Sequence, residues 1–396
     1  MDCEASIAAL TKRERRLILK NCGRIDPESI EDYINAGNGY AGLRWARSRG
    51  AAAVREELTS LLDRVGVRWR LFLEAEGSPK YLVCNGLDYL GGADLAGRLF
   101  RSDPHRVLEG TLILARATGA DHCLVLVGED EEPGRARLES ALRQAAARGL
   151  VAAEEVEIKT LPRALIAAEP TAAVRHLNGR QMLPYTCPPY PEQEGVEGRP
   201  TLFVNPCTCA LIAAAWSQGG EEVDTALVDL SLDGEPVATV ELPAGTPAAV
   251  MVEELLPALG DRRLAYVRVG GVLGRYCSPE QLDFGLEGVT SLALFTAGRC
   301  PLVGFLEDLS LLHRESCGLC VFCREGTYQI EDMVRDILEG GAGRDYPNLL
   351  RNLAEQMGQG SVCSLGKKAG PAVASGLELF AEEISRHLER KRCSYA

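Results

Sequence analysis

Glu315-Ser316-Cys317-Gly318-Leu319-Cys320-Val321-Phe322-Cys323-Arg324-Glu325-Gly326-Thr327 sets three cysteines three residues apart, just before a helical pattern. That spacing aims three thiolates at one small volume, and thiolates are the donors that hold iron–sulfur clusters. A four-iron cubane takes four donors. In the compact ferredoxin run the fourth cysteine follows four residues later, with Pro after it. Thr327 stands there instead, so the fourth donor must come from elsewhere. Cys363, in Ser361-Val362-Cys363-Ser364-Leu365-Gly366, occupies a short Gly-flanked loop between two amphipathic stretches, where a helical hairpin would fold it back. Zinc is the rival reading, since four thiolates also make a structural zinc site, but its ligands usually come as two separated pairs. A radical-forming cluster would use a wider first gap and lack a fourth cysteine. The expected centre is therefore a 4Fe–4S cluster on Cys317, Cys320, Cys323 and Cys363.

The pattern around this centre is helical from about 301. Leu302 to Leu312 marks one helix before the triplet. Ile330, Met333, Val334, Ile337 and Leu338 mark a second. Leu349, Leu350, Leu353 and Met357 mark a third, and Val373, Leu377, Phe380, Ile384 and Leu388 a fourth. Stripes at this period predict a small four-helix bundle over 301–396 with the cluster at one end.

Upstream, short alternating runs over 236–300 give strands at Thr239–Pro243 and Ala265–Gly271 around a helix at Val250–Leu259, a size that fits a small β-grasp (ubiquitin-like) domain. Over 66–235 the pattern is α/β and Rossmann-like. Tyr81–Asn85, His122–Gly128 and Val156–Ile158 read as strands, with helices at Asp103–Ile113 and Arg135–Gly149 between them, so the sheet is expected to be parallel. The uncharged run after Pro200 reads as a buried strand and helix; Asn205-Pro206 and Thr208 interrupt it as a membrane span. The proline-rich 185–200 reads as an ordered, irregular connection. Residues 1–65 read as an N-terminal helical segment. Ile7, Leu10, Leu17 and Ile18 share one face, and Asp26 with Pro27 starts a second helix. Gly37-Asn38-Gly39 is a loop too short for a phosphate cradle.

Composition narrows the function classes. The chain is 46% hydrophobic and only 6% aromatic, with a net charge of −13. That balance argues against a nucleic-acid or anionic-membrane partner. Fourteen cysteines without an export signal predict a reducing, cytoplasmic setting and metal chemistry.

Together these stretches resemble the NADH-binding flavoprotein subunit of respiratory complex I and the related β-subunits of NAD-linked iron hydrogenases and formate dehydrogenases. Glu-Ser-Cys-x-x-Cys-x-x-Cys-Arg-Glu-Gly-Thr and the later Ser-x-Cys-x-x-Gly are that family's cluster motifs, and both are present. Leu19–Pro27, Lys80–Asn85, Asp103–Gly110 and Gly198–Thr201 resemble further family segments, and Gly270-Gly271 the start of the loop closing the β-grasp domain. The resemblance implies FMN and NADH binding beside the cluster, and as partners a small 2Fe–2S thioredoxin-like subunit and a large multi-cluster or catalytic subunit.

The sequence departs from the family where FMN and NAD would bind. The family's Gly-Arg-Gly-Gly-x-Gly-Phe-Pro-x-Gly loop is missing, and Gly66-Val67-Arg68-Trp69 runs directly toward Lys80. Glycines let backbone N–H groups approach phosphate and ring atoms; Val67, Arg68 and Trp69 do not copy that. The acidic segments are altered to Asn85-Gly86-Leu87-Asp88 and Ala168-Glu169-Pro170-Thr171, and a third to Asn205-Pro206-Cys207-Thr208-Cys209. Asn85, Glu169 and Asn205 are the surviving cofactor-site matches. The expectation is a decayed FMN and NADH site, and an electron-transfer subunit of a multi-subunit oxidoreductase. The alternatives are an NAD(P)H-oxidising flavoprotein with a rebuilt loop and a structural metal-binding assembly subunit. Cys207 and Cys209 with Cys187 have two readings, a second metal site or small buried residues at a strand end, and the latter is expected. His105 is expected at a helix start, and His313 near the triplet is expected in solvent.

Overall fold

The computed structural model describes residues 14–37, 39–87, 94–152, 154–217, 224–393 and 395. Ile7, Leu10, Asn38 and Asp88 lie outside these. Residues 14–29 form bends and turns, not the helix that Leu17 and Ile18 implied. The reason is distant. The backbone N–H groups of Ile18 and Leu19 donate to the Glu241 carboxylate at 3.0 and 2.9 Å, so they are not available to a helical ladder. Helices α1 (Ile30–Gly37), α2 (Ala41–Arg47), α3 (Ala51–Arg64) and α4 (Trp69–Glu74) follow. Ser29, not Asp26, starts α1: its Oγ accepts from Asp32 N at 3.1 Å, while Asp26 bonds locally to Glu28 N.

The α/β layer consists of β1 (Tyr81–Asn85), α5 (Leu95–Ser102), α6 (Pro104–Thr118), β2 (His122–Gly128), α7 (Glu132–Ala147), β3 (Val156–Leu161), α8 (Pro170–Leu177), β4 (Thr201–Val204) and α9 (Pro206–Ser217). Its four strands are all parallel in the order β3-β2-β1-β4, with Val83 pairing with both Leu124 and Phe203. All of β1 is buried, as a strand covered on both faces must be. Helix α6 backs the sheet from a buried start, where Asp103 caps Arg106 N and pairs with its guanidinium at 2.8 Å. The order in which strands are added switches sides between β1 and β4, so their carboxyl ends flank a crevice of the kind that open α/β sheets use for ligands.

A second, five-stranded sheet is built from β5 (Thr225–Leu232), β6 (Glu235–Pro243), β7 (Leu264–Val269), β8 (Arg275–Cys277) and β9 (Ser291–Thr296), ordered β6-β5-β9-β7-β8, with α10 (Ala248–Leu255) packed on one face. The expected boundary at 235/236 falls inside the β5–β6 hairpin. Strand β5 belongs to the second sheet, where it pairs antiparallel with β6 and parallel with β9.

Among the described residues the C-terminal region holds five helices, not four: α11 (Pro301–Arg314), α12 (Val321–Glu339), α13 (Tyr346–Gly360), α14 (Ser364–Leu379) and α15 (Ala381–Arg390). The expected last helix breaks at Phe380, whose φ of −95° and ψ of 13° leave the helical region. The break places the Phe380 ring against Tyr266, Tyr276 and Phe305, at the seam between the second sheet and the bundle. Arg268 and Asp308 form an ion pair across the same seam, and Tyr276 Oη donates to Asp308 at 2.7 Å. Helices α13 and α14 touch backbone to backbone: a Cβ on Gly370 would lie 2.5 Å from the N and Cα of Gly358. That contact turns the connecting loop, with Cys363, back toward α12.

Candidate metal centre and adjoining cavity

Cys320 is the N-cap of α12, and Cys323 lies in its first turn. Cys363 is the N-cap of α14. Two helix N-termini therefore converge on one region, and each brings partial positive charge toward thiolates. All four cysteines pack against a single core. Cys323 and Cys363 are buried, and Cys317 and Cys320 are half-buried. A Cβ on Gly366 would stand 3.2 Å from the Cys323 Cβ, so the first turn of α14 lies directly on the triplet.

Burial pushes the Cys323 thiol up to about 11; the Ser316 hydroxyl opposes the rise, and the charges of Cys320, Cys363 and Cys317 add to it. Burial raises Cys363 as well, against backbone N–H donation from Gly366 and Leu365. Mutual repulsion among buried thiolates is the condition a multivalent cationic centre relieves. The donor chemistry, four sulfurs on one core with the Leu365 and Gly366 N–H groups directed at Cys363 and the Ser316 hydroxyl at Cys323, fits an iron–sulfur cluster.

The triplet is anchored to the α/β layer. Leu165 N donates to Glu315 Oε2 at 2.9 Å. Glu169, one of the surviving family matches, accepts from Ser364 N at 3.1 Å and from the Ser364 hydroxyl. It thus caps the helix that begins beside Cys363. Asn85 is buried; its Oδ1 accepts from Leu87 N at 3.1 Å and its Nδ2 donates to Ala167 O at 3.3 Å. Asn205 Oδ1 accepts from Thr208 N at 2.7 Å at the start of α9. All three matched residues have partners within the fold.

The segments that depart from the family at the expected FMN and NADH site do not fill the space beside them. A cavity of about 730 Å³ opens at the carboxyl ends of β1 and β4, with Arg68, Asn85, Glu169, Glu192, Asn205 and Cys363 among its walls. Gly66, Val67 and Arg68, from the segment that carries no glycine-rich loop, are among its lining residues. Arg68 stacks on the Tyr190 ring at 4.5 Å, and Lys367 and Lys368 face the same space. Glu192 Oε2 is buried with no hydrogen-bond partner. The cations suit a phosphate and the unpartnered carboxylate oxygen suits a hydrogen-bond donor, so the walls fit a polar ligand that carries both.

Cys209 is buried with its Sγ 3.7 Å from Cys84 Sγ, packed in the α/β core, and Cys187 lines the cavity. No metal-ligating trio among the described residues includes Cys187, Cys207 or Cys209. His105 is buried at the start of α6, with Tyr40 Oη 2.9 Å from its Nδ1, and burial pulls its pKa down to about 4. His313 is paired with Glu331 at 2.6 Å, not simply solvated as expected. Sequence reasoning missed Glu315 and Ser364, whose roles depend on partners 150 and 195 residues away.

Comparison with known proteins agrees with this geometry. Residues 65–214 match the Nuo51 FMN-binding domain, and residues 306–387 match the NADH-ubiquinone oxidoreductase-F iron-sulfur binding region. The NADP-reducing hydrogenase subunit HndC of Solidesulfovibrio fructosivorans is 28% identical, over 96% of this chain and 85% of its own. An NADH-quinone oxidoreductase subunit of Streptomyces coelicolor is 26% identical, over 92% of this chain and 89% of its own. A solved NAD+-reducing [NiFe]-hydrogenase in the H2-reduced state superposes with a TM-score of 0.79 at 26% identity, over 88% of this chain. The present chain spans 64% of that hydrogenase chain. No described helix is long and apolar enough to cross a membrane.

Proposed function

We propose that this relative of HndC and of the NADH-quinone oxidoreductase flavoprotein subunits is an iron–sulfur electron-transfer subunit of a multi-subunit oxidoreductase, with Cys317, Cys320, Cys323 and Cys363 as the ligands of one 4Fe–4S cluster. The observation that carries this is the convergence of the α12 and α14 N-termini, each capped by a cysteine, on one buried region. The cluster would supply one-electron chemistry. The chain's own part is to bury the sulfurs, aim N–H groups at them and so set the potential, which for such clusters spans roughly −700 to +450 mV.

Electrons must enter and leave through contacts with partners. Leu319, Val321, Phe322 and Tyr328 are exposed large apolar residues around the triplet, and Val321 is 60% exposed. An apolar rim around a buried redox centre suits an iron–sulfur partner subunit that excludes water at the crossing point. From the family resemblance, a small 2Fe–2S subunit and a large multi-cluster or catalytic subunit are the expected neighbours, in a cytoplasmic setting. We read the chain as a helical N-terminal segment, a Rossmann-like α/β domain to about 224, a β-grasp domain to about 300 and the cluster bundle.

A second reading rests on the cavity. Its volume, its cations and the unpartnered Glu192 oxygen favour a flavin-dependent NAD(P)H:acceptor oxidoreductase that holds FMN against the Cys363 wall. One experiment separates the two. Chain purified without oxygen is assayed for iron, acid-labile sulfide and released flavin, then reduced and examined by electron paramagnetic resonance. Iron and sulfide in equal amounts, a reduced-cluster signal and substoichiometric flavin are expected. Stoichiometric flavin with NADH-dependent dye reduction would move the assignment to the second reading, and zinc in place of iron would refute both.

A further inference from the structure

A second group of ligand-type side chains lies at the other end of the bundle. Cys300 immediately precedes α11, His387 lies on α15, and Cys393 follows α15. Their ligand atoms all lie within 4.8 Å of one another. Cys300 Sγ is 3.4 Å from His387 Nε2, and the Cys393 sulfur lies within 4.8 Å of both. Cys300 is 2% exposed and His387 1%.

The surroundings are unfinished without a ligand. His387 Nδ1 is buried and has no hydrogen-bond partner. Glu383 is itself buried, and its carboxylate oxygens make ion-pair contacts without a hydrogen bond: Oε1 is 3.3 Å from His387 Nε2 and Oε2 is 2.8 Å from Arg386. Leaving a buried polar group unsatisfied costs about 1–3 kcal/mol. A histidine, a carboxylate and two thiols gathered at one buried point and poorly satisfied by one another are the inventory of a tetrahedral metal site.

We propose that Cys300, His387 and Cys393 bind one zinc-class divalent cation, with the Glu383 carboxylate or a water as the fourth ligand. Two thiols would lose their protons on binding, and a dication would balance the two thiolates while Glu383 stays matched to Arg386. Mixed sulfur and imidazole donors with a carboxylate select zinc over the hard cations magnesium and calcium. Zinc has no redox chemistry, so the role would be structural. The cation would tie the tail after the last helix to the start of the first. Helix α11 has 14 residues, so this site stands about 20 Å along the bundle from the triplet, at 1.5 Å per residue. It would not share donors with the cluster.

The test uses the full chain with its cluster in place. Elemental analysis of protein produced in zinc-supplemented medium should find about one zinc per chain in addition to iron. Cys393→Ser and His387→Ala should each lose most of that zinc and keep their iron, while Cys277→Ala keeps both. Cys393 is only half-buried, so its replacement leaves the bundle folded, which retained iron checks independently. Zinc-edge X-ray absorption should show two sulfurs at about 2.3 Å and two lighter donors. A high-affinity zinc chelator should lower the melting temperature of the wild type and leave that of Cys393→Ser unchanged. Absence of zinc from the wild type would overturn the proposal. So would a four-sulfur zinc shell, which would put the metal in the triplet site, or a Cys300–Cys393 disulfide found by mass spectrometry of the freshly purified chain.

Discussion

The cluster cradle and the strand-end cavity share the Cys363 wall, yet they differ in what holds them together. In the proposed cradle the functional groups are side chains, four cysteines of which Cys320 and Cys363 stand at helix starts. In the cavity the expected grip was a backbone loop, and that loop is absent. A side-chain ligand set survives as long as its residues do. A backbone cradle is lost with the loop that carries it, whereas a cavity walled by the ends of β1 and β4 depends only on the packing of the sheet and helices around it. Asn85 and Asn205 illustrate the second case: they still stand at the cavity, but each is engaged in a turn or a cap of the fold.

The sharpest way to break this contrast is Cys363→Ser. If Cys363 is a ligand, iron content should fall several-fold and the visible cluster absorbance with it, whereas ligand binding in the cavity, followed by fluorescence of added FMN, should change far less. Unchanged iron would remove Cys363 from the ligand set. Next in size is Phe305→Ala at the seam. Phe305 is fully buried against Tyr276 and Phe380, so denaturant unfolding should lose about 3–5 kcal/mol. The loss should register in the bundle and second sheet, leaving the α/β layer's hydrogen-exchange protection near its original level.

Acid should separate the two regions in a third way. His105 has a folded pKa of about 4 against an ordinary value of 6.5, because burial disfavours its charged form. The unfolded chain therefore binds a proton in that window and the folded chain does not. Stability is full above pH 6.5 and declines as pH falls toward 4, by up to about 3 kcal/mol. His105→Asn should flatten the pH dependence of the α/β layer's melting over that range. The smallest effect is expected from Glu169→Gln, which weakens a charged cap on α14. Thermal stability should drop by about 0.5–1 kcal/mol. The cluster potential should rise, because a negative charge next to the Cys363 helix is removed; voltammetry reads this directly. A potential that does not move would mean that the two regions are electrostatically separate despite their shared wall.

The cysteine triplet stood out in the sequence because its members are locally spaced, and Cys363 because glycine and serine flank it between two helical stripes; the structure packs all four against one core. The parallel strands at 81–85 and 122–128 were legible as apolar runs. What was not legible depends on long-range partners. Residues 14–29 carry an apolar stripe, but Glu241 captures their N–H groups. Strand Thr225–Leu232 was not singled out in the sequence, and its pairing with β6 and β9 decides which sheet it joins. The stripe through Leu377, Phe380 and Ile384 continues across a break that periodicity does not register. The cavity is assembled from six or more separate segments, so no single window of sequence contains it. Cys300, His387 and Cys393 likewise have no common pattern until the ends of the bundle meet.

The absence of side chains at Gly358 and Gly370 has a mechanical consequence. The pair acts as the pivot of a pair of tongs, with Gly370 seven residues, or about two turns, from Cys363. A single extra carbon at the pivot would splay the jaws and carry one sulfur away from the other three. The bite of the site is thus governed by two residues that touch none of its contents.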